Sequence, residues 1–115
     1  MGDLVTGAPS PSPAGAPVVD DTGNNRLVID AGGVEAELIY RVRPGRLILV
    51  HTEVPAALEG HGLGGRLVQA AIDRAARTGE TLVPWCPFAR RWMREHPERL
   101  SGVAVDWKEP PARQA

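Results

Sequence analysis

The alternation of apolar and polar side chains predicts an antiparallel meander in the first patterned part of the chain. From Val34 to Val42, apolar residues occupy every second position and mostly charged residues lie between them, which is the period of a half-buried strand. Arg26 to Ile29 is a shorter strand candidate, and Ala31-Gly32-Gly33 supplies a turn after it. Pro44-Gly45 supplies the next turn, and the continuous apolar run Leu47 to Val50 suits a central strand covered on both faces.

The pattern then changes to helical spacing. Apolar residues recur every three or four positions from Leu63 to Ala76, charged residues such as Arg74 fall on the other side, and Gly79 suits the end of a helix. Thr81 to Trp85 is predicted to be a strand. Because strand, helix and strand form one βαβ unit, this strand should lie parallel to Leu47–Val50.

A second helix is predicted over Phe88–Glu95, because Pro87 suits the first helical position. Trp92 should face inward and Arg90 outward. A last edge strand is predicted over Val103–Trp107. The predicted fold class is therefore α/β (α+β), an antiparallel meander leading into one βαβ unit with a following helix.

The two ends of the chain lack these patterns. Residues 1–25 are rich in Pro, Gly, Ala and Ser, and we predict a disordered tail because ordering them would bury little apolar surface. Residues 26–108 form the predicted folded domain, and residues 109–115 form a frayed C-terminus.

Composition narrows the class of protein. A chain of 115 residues with a formal net charge of -1 fits one small domain and argues against a sequence-wide nucleic-acid surface. No segment approaches the roughly 20 apolar residues of a membrane span. The single cysteine, Cys86, excludes an internal disulfide and indicates a cytoplasmic protein. Arg outnumbers Lys, and Ala and Gly are frequent, which suggests a GC-rich bacterial genome.

A glycine-rich segment joins the central strand to the first helix. Bare backbone N–H groups at a helix N-terminus form a site for an anion such as a pyrophosphate. Gly60, Gly62 and Gly65 also satisfy the dinucleotide motif G-x-G-x-x-G. However, a loop separates them from the strand, and no acidic residue ends the next strand to hold a ribose. A Walker A loop is excluded because no Gly-Lys-Ser/Thr follows, so another phosphorylated ligand is predicted.

Two separated blocks of the sequence resemble the GNAT-type N-acetyltransferases, and most closely the small, minimal GNAT-like domain. The blocks are HTEVP…LEGHGLGGRLVQAAID and VPWCPFARRWMREHPE, and the resemblance covers Leu27 to Arg99. It implies an abbreviated GNAT-like fold and acetyl-CoA as the cosubstrate. It also implies that the strand edge at Glu53 and Val54 pairs with pantetheine and that the backbone of the loop binds the CoA pyrophosphate, through His61, Gly62, Leu63, Gly64 and Gly65.

Three residues are candidates for the chemistry. Cys86 precedes a helix, where the dipole favours a thiolate, and in the minimal subfamily the matching cysteine is considered an acyl acceptor. Its alternative role is that of a small buried apolar residue. Glu53 and His51 lie on one face of their strand, with Thr52 on the other, and either could deprotonate an ammonium. The alternative for His51 is a hydrogen-bonded residue near a strand end.

The sequence also departs from the family pattern. Many GNAT enzymes place a tyrosine near the leaving thiolate, but no tyrosine follows Tyr40. Glu59 stands where typical loops carry Gln or Arg, and the helices that usually shape the acceptor site are missing. We therefore predict an acetyl-CoA-binding N-acetyltransferase with an unidentified amine acceptor, or alternatively a non-catalytic CoA or acyl-CoA sensor. No metal, nucleic-acid or membrane partner is expected, and a monomer is favoured.

Overall fold

The computed structural model describes residues 15–111. These residues form a five-stranded sheet and two α-helices, joined by short loops and three 3-10 turns. In chain order the elements are β1 (Val18–Asp21), β2 (Arg26–Ala31), β3 (Val34–Arg43), β4 (Arg46–Glu53), α1 (Leu63–Thr78), β5 (Thr81–Pro84) and α2 (Pro87–Glu95).

The strands lie in the sheet in their order along the chain. The first four are antiparallel neighbours, and β5 lies parallel to β4, with Leu47 opposite Leu82. The meander and the parallel βαβ unit predicted from the sequence are thus confirmed. In β3 the predicted alternation holds at Ala36, Leu38 and Tyr40, which are buried, while the valines at the two ends of the strand are exposed.

The prediction of a disordered tail is wrong for the part of residues 1–25 that the structure describes. Val18–Asp21 pairs along its length with β2. Composition hid this strand because its stability comes from tertiary contacts: Ala16 is 1% exposed, and the Asp20 carboxylate accepts a hydrogen bond from the Tyr40 hydroxyl. Residues 1–14 and 112–115 of the predicted tails lie outside the described residues.

The core lies between one face of the sheet and the two helices. Leu67, Val68 and Ala71 of α1 are buried against it, as are Ala89 and Met93 of α2. The periodic apolar face therefore predicts the core side of α1 well.

Two arginines predicted to face outward lie against the protein instead. Arg74 is 14% exposed and stacks on the ring of Tyr40, with 4.7 Å from its guanidinium carbon to the ring centre. Arg90 donates hydrogen bonds to the carbonyls of Pro84 and Trp107. Long charged side chains can cover apolar surface while their heads find partners, which helical periodicity alone does not reveal.

The predicted last strand is reduced to a single parallel bridge. Val105 pairs with Leu82, and the flanking residues make two backbone hydrogen bonds to it, so the segment covers the free edge of β5. Asp106 is paired with Arg46 of β4, which lowers the pKa of the Asp106 carboxyl through that hydrogen bond. The sheet edge beside α2 is therefore closed by an irregular segment rather than by a sixth strand.

Candidate functional site

The sheet opens between the ends of β4 and β5. Their pairing ends with Leu49 opposite Pro84, and the Cys86 N–H then donates to the Leu49 carbonyl at 2.8 Å. At the same level a bulge leaves Val50 without a partner in β3. From His51 to Glu53, β4 pairs only with β3 among the described residues, so its other backbone edge faces a gap.

The loop after β4 delivers the start of α1 to this gap. Gly60 and Gly62 have φ values of 85° and 72°, and nothing lies within 4 Å of the position that a Cβ would take at either residue. Glycine is the residue that adopts this backbone without strain. The first helical hydrogen bond of α1 runs from the Arg66 N–H to the Gly62 carbonyl at 3.1 Å.

The first donors of α1 are consequently unused. Within residues 15–111, the backbone N–H groups of Leu63, Gly64 and Gly65 have no acceptor, and no side chain caps the helix at Gly62. Three N–H groups at the positive end of a helix favour an anionic group. The predicted anion site is therefore formed by free donors.

A cavity of about 490 Å³ lies between this helix start, the end of β4 and α2. Its volume is in the range of small-molecule sites, and its lining is mostly apolar. Of the residues predicted to bind the cofactor, Val54, Gly62, Leu63, Gly64 and Gly65 line it; Glu53 and His61 are exposed and do not. The remaining lining residues are Thr52, Leu58, Glu59, Gly60, Phe88 and Trp92.

Gly64 and Gly65 have a packing role that the sequence did not reveal. A Cβ on Gly64 would lie 2.7 Å from Cζ of Phe88, and one on Gly65 would lie 2.5 Å from Nε1 of Trp92. Both rings belong to α2, which can cross α1 closely only because these positions lack side chains. The Trp92 ring is also stacked on His96, with 4.0 Å between ring centres. The glycine pair thus sets the distance between the two helical walls of the cavity.

Cys86 lies behind the cavity. It is 2% exposed, it does not line the cavity, and its Sγ is 3.2 Å from Oγ1 of Thr52, which does. Thr52 lies opposite the buried Leu38 in the sheet, so its side chain is on the same face as the core. Sequence reasoning missed Thr52, although strand alternation already placed it on the opposite face from His51 and Glu53.

His51 and Glu53 form a separate pair on the other face of β4. His51 Nε2 and Glu53 Oε1 are 3.0 Å apart, and their side chains are 55% and 60% exposed. Both side chains lie on the face of β4 opposite the core, so Glu53 is an exposed carboxylate. The structure thus forms two separate pairs. Thr52 and Cys86 are in contact on the core face of the sheet, and His51 and Glu53 are in contact on the opposite face.

A second groove, of about 380 Å³, lies on the other side of α1 against β1. The Tyr40 hydroxyl donates to Asp20 at 2.6 Å and accepts from Arg74 at 2.7 Å, and Arg74 also bonds Asp20. Burial, followed by the hydrogen bond to Asp20, raises the pKa of Tyr40 to about 12. Because these polar groups satisfy one another, we interpret the cluster as structural.

The described part of the chain lacks the features of two further classes of site, metal centres and membrane-spanning helices. It holds no group of three or more His, Cys, Asp or Glu side chains arranged to hold a metal ion. Among the same residues, neither helix has the length and apolarity needed to cross a bilayer.

One family of known proteins matches most of the folded chain. A search among curated proteins gave no significant match. A family model described as GCN5-related N-acetyl-transferase matches residues 26–102, from the start of β2 to the turn after α2. The match spans well over half of the chain and includes the glycine loop, α1, Cys86 and α2, which confirms the resemblance noted in the sequence. The chain belongs to the GCN5-related N-acetyltransferase family.

Proposed function

We propose that the protein binds acetyl-CoA and transfers its acetyl group to an amine. The observation that carries the proposal is the cavity of about 490 Å³, one end of which is formed by the unused N–H groups of Leu63, Gly64 and Gly65. Those donors suit a pyrophosphate, and the apolar remainder suits a pantetheine chain.

The two parts of the cosubstrate have different partners in this proposal. The CoA pyrophosphate accepts hydrogen bonds from the start of α1, where the open space at Gly60 and Gly62 lets it approach the backbone. Pantetheine runs along the unpaired edge of β4 near Glu53 and Val54, as an added strand would. That path carries the thioester towards Thr52 and Cys86.

The proposed chemistry begins with deprotonation of the acceptor. Glu53, oriented by its hydrogen bond to His51, removes a proton from the ammonium directly or through water. The neutral amine attacks the acetyl carbonyl, and backbone N–H groups on the edge of β4 stabilise the oxyanion. Collapse of the intermediate breaks the C–S bond, and the electron pair leaves on the CoA sulfur. Transfer by way of Cys86 stays a separate prediction, in which the thiol is acetylated first.

A second candidate function is a CoA or acyl-CoA sensor without chemistry. It is favoured by one observation: the single tyrosine of the chain is engaged with Asp20 and Arg74 beside the second groove. It therefore cannot protonate a thiolate in the proposed CoA cavity.

The proposed binding of acetyl-CoA is tested by thermal unfolding with acetyl-CoA and, in parallel, with NAD. We expect acetyl-CoA alone to raise the melting temperature, because a ligand that binds only the native state stabilises it. Gly62→Ala should weaken acetyl-CoA binding about tenfold or more, because its methyl group would occupy the space of the anion. Gly45→Ala is the matched control, since Gly45 has the same φ of 72° but lies in the β3–β4 turn.

The catalytic half is tested by thiol release from acetyl-CoA in the presence of a panel of primary amines. Turnover that falls strongly in Glu53→Gln would support the transferase, whereas binding without turnover for any amine would favour the sensor. Intact mass after incubation with acetyl-CoA, wild type against Cys86→Ala, tests the covalent relay. An unmodified wild-type chain would argue against an acetyl-cysteine intermediate. Failure of every CoA species to shift the melting temperature would overturn both functions.

A further inference from the structure

Thr52 is the polar side chain that separates Cys86 from the proposed CoA cavity. Its hydroxyl lies 3.2 Å from Sγ of Cys86, and the residue lines the cavity beside Val54. Cys86 itself is 2% exposed and is held from the backbone side by its N–H bond to Leu49. A group in the cavity therefore meets the threonine hydroxyl before it can meet the thiol.

The position of this pair in the sheet matches the end of the pantetheine path. Thr52 belongs to the part of β4 that no longer pairs with β5. The N–H of Cys86, just after β5, makes the backbone hydrogen bond to Leu49 that follows the last pair of the two strands. A thioester lying along that free edge reaches the threonine from the open side. The reaction leaves a thiolate there, and the tyrosine of the chain is engaged elsewhere.

We infer that Thr52 is a catalytic residue whose hydroxyl bonds the CoA sulfur and relays a proton to it from the Cys86 thiol. The inference rests on the proposed function, because it assumes that CoA occupies the cavity. Thr52 touches the reacting sulfur, and Cys86 acts through Thr52.

The proton relay passes one proton from Cys86 through Thr52 to the CoA sulfur. When the tetrahedral intermediate collapses, the C–S bond breaks and its electron pair stays on the CoA sulfur. That sulfur takes the hydroxyl proton of Thr52, while Oγ1 takes the proton from Sγ of Cys86. CoA leaves as the thiol and Thr52 is unchanged. The attacking nitrogen loses its second proton as the amide forms, and that proton passes through water to the Cys86 thiolate. No oxidant or reductant is consumed.

The energetics of such a relay are favourable without a strong acid. The donor and the acceptor of the proton are both alkyl thiols, the side chain of Cys86 and the end of CoA. Exchange of a proton between two thiols is therefore close to balanced, and the hydroxyl lets it pass through one short hydrogen-bonded chain. A hydrogen bond to an ionised sulfur is also stronger than one to a neutral thiol.

The test compares binding of CoA with binding of desulfo-CoA, which lacks the sulfur, by calorimetry. Measurements are made at about pH 7 and about pH 9.5, below and above an ordinary thiol pKa. In the wild type, the affinity for CoA relative to desulfo-CoA should rise about tenfold at the higher pH, because the hydroxyl then bonds a charged sulfur. Thr52→Val should abolish this gain, and Thr52→Ser should retain it. Thr81→Val, in β5 and outside the cavity lining, is the matched control.

The role of Cys86 has its own readout. In Cys86→Ala the kcat of thioester cleavage with the best amine of the panel should fall, while the KM for acetyl-CoA and the affinity for CoA stay unchanged. An acetylated Cys86 in the wild type would instead assign that residue an acyl-carrying role and overturn the relay.

The outcomes separate this inference from the proposed function. If neither CoA nor desulfo-CoA binds, the proposed function itself fails. If both bind, but equally and with the same pH dependence in wild type and Thr52→Val, then Thr52 does not contact the sulfur and the inference is overturned while CoA binding stands. Circular dichroism of each variant shows whether a loss of binding reflects unfolding, and Thr52→Ser keeps the test decisive if the valine variant does not fold.

Discussion

At the scale of single residues, Tyr40 shows how position decides what a reactive group can do. Its side chain is 1% exposed, its hydroxyl donates to Asp20, and the guanidinium of Arg74 stacks on its ring. The phenol therefore joins β3, β1 and α1. A tyrosine held in this way stabilises the sheet edge and has no path to the cavity at the start of α1.

Ionisation of Tyr40 should destabilise the folded protein in strong alkali. Its pKa is raised to about 12 by burial and by the hydrogen bond to Asp20, compared with about 10 in an unfolded chain. The neutral phenol is favoured by folding, so this stabilisation is complete below about pH 10 and is lost as pH rises towards 12. Because Tyr40 is the single tyrosine, tyrosinate absorbance reports its titration directly.

The matching variant for that titration is Tyr40→Phe. Urea unfolding should show lower stability at neutral pH, by about 1–3 kcal/mol, because Asp20 and Arg74 lose a partner. The fall in stability above about pH 10 should become shallower in this variant. A tyrosinate midpoint near that of free tyrosine in the folded protein would contradict the proposed environment.

At the scale of elements, the crossing of α1 and α2 shapes the candidate site. Gly64 and Gly65 let the Phe88 and Trp92 rings approach the α1 backbone, and all four residues line the cavity. The same two glycines therefore contribute unpaired N–H donors on one side and a packing surface on the other.

Gly65→Ala tests this crossing. In an isolated helix the change would be favourable by up to about 1 kcal/mol. Here the new methyl group would meet the Trp92 ring, which is stacked on His96 and has little freedom to move. We expect a net destabilisation of about 1–3 kcal/mol in urea unfolding.

The double variant Gly65→Ala with Trp92→Leu supplies the control. Removing the ring makes room for the methyl group, so the cost of Gly65→Ala should largely disappear in that background. Equal costs in both backgrounds would show that the ring does not set the helix separation.

The elements that could be predicted from the sequence are those with a strong internal pattern. The alternation in β3, the apolar run of β4 and the helical spacing of α1 each specify a buried face without knowledge of the rest of the chain. The strand Val18–Asp21 pairs with the adjacent β2 but was missed, because it is short and is held by contacts such as that of Asp20 with Tyr40, which no local pattern reports. The segment at Val103–Trp107 was overpredicted, because it pairs at one residue alone.

The glycine loop of the candidate site could be predicted from the sequence, but the contacts behind it could not. The glycine loop carries its signal in the sequence, because helix start and open backbone both follow from glycine at fixed positions. The contact between Thr52 and Cys86 joins residues 34 positions apart and depends on where β4 leaves β5, which no local pattern reports.

At the scale of the whole molecule, β1 extends the fold beyond the region that defines the family. The family match begins at residue 26, whereas the sheet begins at Val18 and the core includes Ala16. The strand supplies the acceptor for Tyr40 and Arg74, so it fixes one end of α1 to the sheet.

A chain that starts at residue 25 should therefore be less stable than one that starts at residue 15. The shorter chain lacks β1 and leaves the Tyr40 hydroxyl and Arg74 without Asp20, and we expect a loss of about 2 kcal/mol or more in urea unfolding. The chain from residue 15 keeps these contacts and is the control. Equal midpoints for the two chains would show that β1 adds nothing to the stability of the fold.

The packing of Trp92 on Gly65 has a consequence for how this sequence can evolve. A larger residue at position 65 strains the crossing of the helices, and a smaller one at position 92 leaves a cavity beside it. Each single step passes through a less stable protein, while the two together restore the fit. Selection for stability should therefore keep the pair together or change both at once, and the same holds for Gly64 with Phe88. The four residues of this cavity wall should therefore vary as two coupled pairs rather than as four independent positions.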